Sequence, residues 1–300
     1  MGSTTSQCPS LDDPDMQWAY CPSLPAAAAL TSLFGALLLA HLLQALLYRK
    51  PFCWVVCMAS AWETAGFAFR LLGARDPRRQ FFAVGSNLLI ILAPLWVNAF
   101  VYMLAGRMIY YWLPSKSVGR LRARTMTSWF VWLDIVIFFV QATGGSLLEN
   151  EDPTQARLGL HIYMGGIGLQ QLFVCLFVLV LVKFHADVRR TGHQRTTSWR
   201  RQLFSLYFVL AFITVRIVFR LVEFSSGFDG PIPNNEVFFY TLEATPMVLA
   251  IGTFAVFHPG RTLVGPESEF SKLVVQKGRR RWWCCGRRAR TKLDLDIEMR

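Results

Sequence analysis

The sequence predicts an all-α membrane protein, a bundle of seven transmembrane helices with its N-terminus outside and its C-terminus in the cytoplasm. Three observations lead to this fold class. The 300 residues are 53% hydrophobic and their mean hydropathy is +0.35, which is high for a soluble protein and ordinary for a polytopic membrane protein. Seven apolar stretches each reach about 20 residues, the length that crosses a hydrocarbon core of ~30 Å. Basic residues concentrate in every second connecting segment.

The apolar stretches follow one another with short connections. Their predicted bounds are 24–47, 52–72, 81–109, 127–148, 158–184, 202–224 and 235–257. Pro94 interrupts the third stretch and predicts a kink there. No connection has room for a large soluble domain. We therefore expect an extracellular segment 1–23, a seven-helix membrane domain 24–258, and a basic, disordered cytoplasmic tail 259–300.

The distribution of Lys and Arg predicts which helix ends face the cytoplasm. With the N-terminus outside, 24 of the 31 Lys and Arg residues lie in cytoplasmic segments and 4 lie in outer segments, which is a strong bias in the expected direction. Segment 1–23 is acidic and lacks a basic n-region, so we expect no cleaved signal peptide. Because short connections carry most of the basic residues, the net charge of +12 indicates membrane topology rather than a nucleic-acid partner.

Charged side chains inside the predicted spans define the first candidate site. Arg216, Arg220 and Glu223 are spaced i, i+4 and i+7, which places them on one face of a helix. A charge near the bilayer centre costs ~2.5–3.5 kcal/mol on insertion scales, so this face must look into the bundle. The helix directions bring three more charges to the same outer half of the membrane, namely Glu63, Arg70 and Glu243. Two interpretations stay open: a balanced ion-pair network that sets helix packing, or a polar binding or transport site.

Asp134 and several uncharged polar residues form a second group of candidates. Asp134 lies in the inner half of the fourth span, where a structural salt bridge with Arg107 is the favoured interpretation. Polar side chains on other spans predict an inner lining that packs helices together or contacts a substrate: Asn98, Gln141 and Gln170. Glycines at 144–145 and 165–168 predict close approach of helices.

Cysteines at the two ends of the chain suggest covalent modifications. Cys8 and Cys21 predict either a disulfide bond, if the N-terminal segment is outside, or two free thiols. In the tail, basic residues surround the Trp pair at 282–283, which is typical of contact with an anionic leaflet. The adjacent Cys284 and Cys285 form a candidate S-palmitoylation site, with an unmodified basic tail as the alternative.

The sequence offers no motif for an enzyme. Its five His residues fall on different spans and sides without a helical pair, so we expect no metal site. Neither a Walker A motif nor a GxSxG nucleophile elbow occurs. The last span, 235–257, has no Lys for a retinal Schiff base. We therefore expect a protein that is not an enzyme and needs no cofactor.

Several short motifs occur in an order that resembles a known family. They are Tyr20-x-Pro22-Ser23, Glu63-x-x-Gly66-Phe67-x-x-Arg70, Ala93-Pro94, Phe130-Val-x-x-Asp134, Gln141-x-x-Gly144-Gly145, Gly165-x-x-Gly168-x-Gln170, Arg216-x-x-Phe219-Arg220-x-x-Glu223, Glu236-x-x-x-Tyr240 and His258-Pro259-Gly260. Through their shared order and spacing, residues 20–260 resemble the fungal RTA-like family, the lipid-translocating exporters. Phe67 stands where that family usually has Tyr, and Glu243 stands where Asp is expected. These departures bear on which ligand fits.

The resemblance implies a seven-helix plasma-membrane protein that moves, or gives tolerance to, amphipathic molecules such as sphingoid long-chain bases, sterol derivatives, porphyrin and drugs. On this basis we expect a lipid translocator or exporter whose outer acids bind a positively charged amine, with Glu63 as the first candidate for carrying a proton. The alternative is a receptor-like sensor of membrane lipid asymmetry. Its segments 110–126 and 185–201 and its C-terminal tail would then engage a cytoplasmic partner.

Overall fold

The seven predicted helices are present in the structure. The computed structural model describes residue 18 and residues 20–148, 152–190, 198–225 and 235–263. Within these residues, seven helices are long and apolar enough to cross a membrane. This finding confirms the predicted all-α bundle of seven transmembrane helices, and the chain is an integral, multi-pass membrane protein.

The helices alternate in direction along the chain. The first six are α1 (Leu24–Tyr48), α2 (Trp54–Arg75), α3 (Gln80–Trp112), α4 (Ala123–Leu148), α5 (Pro153–Arg190) and α6 (Ser198–Ser225). The seventh, α7, begins with the short α-helical piece Glu236–Phe238, continues as the π-helix Phe239–Ala244 and ends as the α-helix Thr245–Val256. Two 3-10 turns flank the bundle: Pro51–Cys53 leads into α2, and Pro259–Arg261 follows α7.

The connections are more ordered than hydropathy predicts. In the predicted connection 110–126, α3 runs on to Trp112 and α4 begins at Ala123. Between them Ser117–Val118 pairs with Leu121–Arg122 as an antiparallel hairpin. Hydropathy reports where the hydrocarbon ends, whereas a helix satisfies its own backbone hydrogen bonds and can continue beyond that point.

The buried core runs along α3, while α1 and α4 are the most exposed helices. α3 packs against α2, α4 and α6, and its window of apolar residues is 56% buried against 17% for α1 and α4. The exposed residues of the outer helices are large and apolar, as at Leu46 and Trp132. In a membrane-spanning bundle such surfaces face lipid.

Glycines allow α4 and α5 to pack backbone against backbone. A Cβ at Gly144 would lie 2.5 Å from the backbone nitrogen of Tyr163, and a Cβ at Gly159 would lie 2.7 Å from a backbone nitrogen of α4. At Gly145 and Gly165, by contrast, a Cβ would meet nothing within 4 Å. Only some of the glycines that the sequence singles out are therefore required for close helix approach.

Hydrogen bonds between distant residues define the two ends of the bundle. At what we call the N-terminal face, the backbone N–H of Ser23 donates to Oε1 of Glu236 over 2.7 Å. At the opposite C-terminal face, Nε of Arg261 donates to the hydroxyl of Tyr48 over 2.9 Å. That the N-terminal face is extracellular stays a prediction.

Candidate functional site

An ion pair between α6 and α7 lies at the centre of the candidate site. Nη2 of Arg216 is 2.5 Å from Oε1 of Glu243, and the two side chains are 10% and 1% exposed. The same Nη2 donates to the backbone carbonyl of Ile90 over 3.2 Å. Pro94 lies four residues after Ile90 inside α3, and because proline has no N–H, that carbonyl lacks its helical donor. Arg216 therefore joins three helices and supplies the missing donor.

Arg220 extends the network towards the N-terminal face. Its Nε lies 3.8 Å from Oε2 of Glu243, and its Nη1 lies 3.4 Å from Oε2 of Glu223. The predicted charged face of α6 thus points inward, with Glu243 from α7 between its two arginines. Glu243 belongs to the π-helical segment of α7, a local widening of the helix that often occurs at functional sites.

Glu63 is the third acid of the site, and its carboxylate makes no hydrogen bond. Its residue is fully buried, and neither of its carboxylate oxygens has a hydrogen-bond partner. It interacts electrostatically with Arg216 and Glu243. We call Glu63, Arg216, Arg220, Glu223 and Glu243 the charge network. This set holds three acids and two arginines, so it carries one more acid than base.

Arg70 lies apart from the charge network, in a cage of aromatic rings at the N-terminal face. Its guanidinium lies between 4.1 and 5.5 Å from four ring centroids, a range typical of cation–π contacts. These rings belong to Trp18, Tyr20, Phe239 and Tyr240. The balance of three arginines and three acids expected from the sequence is therefore not reached within the charge network.

Arg70 also ties the N-terminal segment to α7. Its Nη2 donates to the Tyr20 hydroxyl over 2.5 Å, its Nε donates to the Tyr240 hydroxyl over 3.3 Å, and Glu236 lies 3.8 Å away. Burial raises the pKa of Tyr20, so its hydroxyl stays protonated at neutral pH. Sequence reasoning quoted Tyr20, Glu236 and Tyr240 as motif residues without assigning them to this contact. The i, i+4 spacing of the last two was the available signal.

Asp134 forms a separate polar group between α3 and α4. Its Oδ2 accepts hydrogen bonds from Nδ2 of Asn98 over 2.9 Å and from the Tyr102 hydroxyl over 3.1 Å. Arg107, the partner suggested by the sequence, donates to the carbonyl of Met103. The hydrogen bonds of Asp134 thus come from neutral groups, and Asn98 belongs to this group rather than to a lining around the charge network.

A small internal cavity borders the charge network. Gln141 and Gln170 both line it and hydrogen-bond to each other over 3.0 Å. About 40 Å³ of the cavity is open to water-sized molecules, which is enough for a few waters and too little for a lipid head group with its chain. The wall is completed by Ile91, Pro94, Leu95, Phe138, Tyr163, Ile167, Ile213, Arg216, Ile217, Arg220 and Met247.

The remaining candidates lie at the chain ends. Cys21 takes part in a disulfide bond, and Cys8, its predicted partner, lies outside the described residues, so that pairing stays a prediction. Cys284 and Cys285 also lie outside the described residues. Within the described ranges, no group of three or more His, Cys, Asp or Glu side chains is arranged to hold a metal ion.

Fold and site together define a multi-pass membrane protein whose helices enclose a buried network of acids and arginines. The sequence profile of the RTA1 like protein family matches residues 56–265. The chain belongs to this family.

Curated relatives carry names that refer to transport or uptake. The chain is 36% identical over 85% of its length to "Probable lipid transporter atnI" of Emericella nidulans, covering 70% of that protein. It is 31% identical over 65% of its length to "Protoporphyrin uptake protein 1" of Saccharomyces cerevisiae, covering 64% of that protein. It is 23% identical over 82% of its length to "Sphingoid long-chain base transporter RSB1" of the same species, covering 74% of that protein. The chain thus spans roughly two thirds of the length of its relatives. No solved structure matches it.

Proposed function

We propose that the protein is a lipid translocator that moves amphipathic molecules with a cationic head group, such as sphingoid long-chain bases, and so gives tolerance to toxic lipids or drugs. The observation that carries this proposal is Glu63, a fully buried acid beside an ion pair, with neither oxygen hydrogen-bonded. A buried carboxylate calls for a compensating charge or proton. A substrate amine or a proton would supply it.

The other members of the charge network differ from Glu63 in that each lies within ion-pair distance of another side chain of the network. Arg216 holds Glu243 in an ion pair, and Arg220 lies between Glu243 and Glu223. Acids held in this way are poorly available to a passing ligand. Glu63 is therefore the group in this network that we assign to carry the proton or to bind the amine, while the arginines keep the neighbouring acids in place.

Translocation requires the bundle to open. The cavity beside the charge network admits only a few waters, so a lipid head group does not fit there in the described conformation. Helices can bend at two irregular places that border the site, namely Pro94 in α3 and the π-helical segment of α7. Proline and π-helical turns are common causes of bends in helices.

Names of relatives and the charge distribution support the wider setting of this proposal. One relative is named as a probable lipid transporter and another as a sphingoid long-chain base transporter. The bias of Lys and Arg supports an orientation with segment 1–23 outside and the tail 259–300 in the cytoplasm; the assignment to the plasma membrane rests on the family resemblance alone.

The test uses purified protein in liposomes of defined lipid. Fluorescent long-chain base and fluorescent phospholipid are followed between leaflets, with and without a pH gradient. We expect protein-dependent crossing of the base that is lost in Glu63→Gln and in Arg220→Ala. Asp134→Asn is the matched control, because Asp134 is a buried acid whose hydrogen-bond partners are neutral. This variant should still move the base between leaflets. If Glu63→Gln moves the base as well as wild type does, the assigned role of Glu63 is wrong.

The small cavity favours one second candidate, a sensor of membrane lipid asymmetry. A sensor need only bind lipid at its surface and change conformation, so a closed interior suits it. Its signal would leave through segments 110–126 and 185–201. Failure of a well-folded protein to move any lipid, together with loss of signalling when Arg120, Arg122 and Arg124 are neutralised, would favour this candidate.

A further inference from the structure

A second pocket lies at the C-terminal face, far from the charge network along the helices. It opens between the start of α6 and the turn that follows α7. About 250 Å³ of it is open to water-sized molecules, against about 40 Å³ in the internal cavity. Its lining is Arg201, Gln202, Val256, Phe257, His258, Arg261 and Thr262.

Two guanidinium groups give this pocket a positive charge. Arg201 lies in the first turn of α6, and Arg261 ends the 3-10 turn Pro259–Arg261. Both are exposed, and in the described ranges neither is within ion-pair distance of a carboxylate. The lining itself contains no acid. The N-terminal end of α6 adds the positive end of a helix dipole on the same side.

The structure around Arg261 holds its guanidinium in place. Nε of Arg261 donates to the Tyr48 hydroxyl, and the Tyr48 ring stacks on His258 with centroids 4.7 Å apart. A Cβ at Gly260 would lie 2.6 Å from Tyr48, so only glycine permits this packing. Because Nε is used within the protein, the two Nη groups of Arg261 remain to bind a ligand. A preorganised guanidinium of this kind suits bidentate binding of a phosphate.

The pocket is apolar on the side that continues into the outer surface of α7. Val256 is 62% exposed and Phe257 is 43% exposed, and both line the pocket. On a membrane-spanning helix, such side chains face acyl chains. The site therefore joins two cations to a lipid-facing apolar surface, which matches a phosphate head group with attached fatty acyl chains better than a soluble anion.

We propose that this pocket binds the phosphate group of an anionic phospholipid, with Arg201 and Arg261 as its ligands. This site is distinct from the translocation site of the proposed function. On the predicted orientation the pocket faces the cytoplasmic leaflet, where anionic lipids are concentrated.

The experiment compares wild type with two double variants that lose the same charge at the same face. Arg201→Gln with Arg261→Gln removes both proposed ligands. Arg189→Gln with Arg190→Gln is the control, because these exposed arginines end α5 and do not line the pocket. Full-length protein in mixed micelles of phosphatidylglycerol and phosphatidylcholine is analysed by native mass spectrometry for retained lipid.

Wild type and the control should retain phosphatidylglycerol in preference to phosphatidylcholine. The pocket variant should bind phosphatidylglycerol about ten-fold more weakly or worse, as expected for loss of charge-assisted hydrogen bonds. Equal losses in the two double variants, or no preference in wild type, would overturn the proposal. The lipid assignment would also be overturned if inorganic phosphate raised the unfolding midpoint of wild type as much as phosphatidylglycerol does.

Folding of the pocket variant is checked by its unfolding midpoint in phosphatidylcholine alone. If the double variant proves unstable because Arg261 also contacts Tyr48, Arg201→Gln alone replaces it. That single variant must still weaken phosphatidylglycerol binding, and unchanged binding would contradict the proposed site.

Discussion

Replacing Glu243 by Gln removes the acid that pairs with both arginines of the charge network, of which Arg216 is buried and Arg220 is partly buried. In the native protein this carboxylate lies 2.5 Å from Arg216 and 3.8 Å from Arg220. After Glu243→Gln, Arg216 keeps a hydrogen bond to the carbonyl of Ile90 and loses its ion pair. Breaking one partner of a buried ion pair costs about 3–5 kcal/mol, because the other charge is left buried and unpaired.

Glu63→Gln, a matched change of a neighbouring buried acid, should behave differently. Neither oxygen of Glu63 accepts a hydrogen bond, so this substitution breaks none. It also removes a fully buried carboxylate, losing its attraction to Arg216 and relieving its repulsion from Glu243. A neutral amide is less costly to bury than an unpaired carboxylate. We therefore expect Glu63→Gln to leave stability unchanged or to raise it.

Thermal unfolding in one detergent measures both variants. At ~2–4 °C per kcal/mol, a scaling taken from globular domains, Glu243→Gln should lower the unfolding midpoint by about 6 °C or more. Glu63→Gln should remain at or above the wild-type midpoint while losing transport of long-chain base. An equal loss of stability in both variants would show that Glu63 is a structural partner of Arg216. That result would refute its assignment as the free acid of the network.

Three further predictions concern packing and hydrogen bonding. Gly144→Ala should destabilise the protein by about 1–3 kcal/mol, since its Cβ would meet backbone atoms of α5. Gly145→Ala should be tolerated, because its Cβ would meet nothing within 4 Å. Equal unfolding midpoints for the two variants would contradict this prediction. Asp134→Leu should cost about 1–3 kcal/mol for each donor left unpaired, while Asp134→Asn keeps an acceptor oxygen and should stay near wild type in the same melt. A Cβ at Gly73 would lie 2.5 Å from the Trp18 ring. Gly73→Ala should therefore destabilise the wild-type protein and have little further effect in a protein that already carries Trp18→Ala. Additive effects in this double-mutant cycle would exclude direct contact.

Part of the candidate site could be predicted because helical spacing is a local property. The i, i+4, i+7 spacing placed Arg216, Arg220 and Glu223 on one inward face. In the structure both arginines lie within ion-pair distance of Glu243, and Glu223 pairs with Arg220. The same rule could not separate Glu63 from Arg70. They are i, i+7 on α2, yet Glu63 belongs to the charge network and Arg70 lies inside an aromatic cage. Which neighbour each one meets depends on α7 and on the N-terminal segment.

The sequence alone determined the number of helices, their approximate bounds and the inward charged face of α6. These features follow from the cost of placing polar groups in hydrocarbon, which acts on each segment separately. The tertiary structure alone decided the pairing of charges, since it depends on contacts between residues far apart in sequence, such as Arg216 with Ile90 and Glu243. It also decided that one acid, Glu63, is left without a hydrogen bond, because that outcome depends on how side chains from several helices are placed around it.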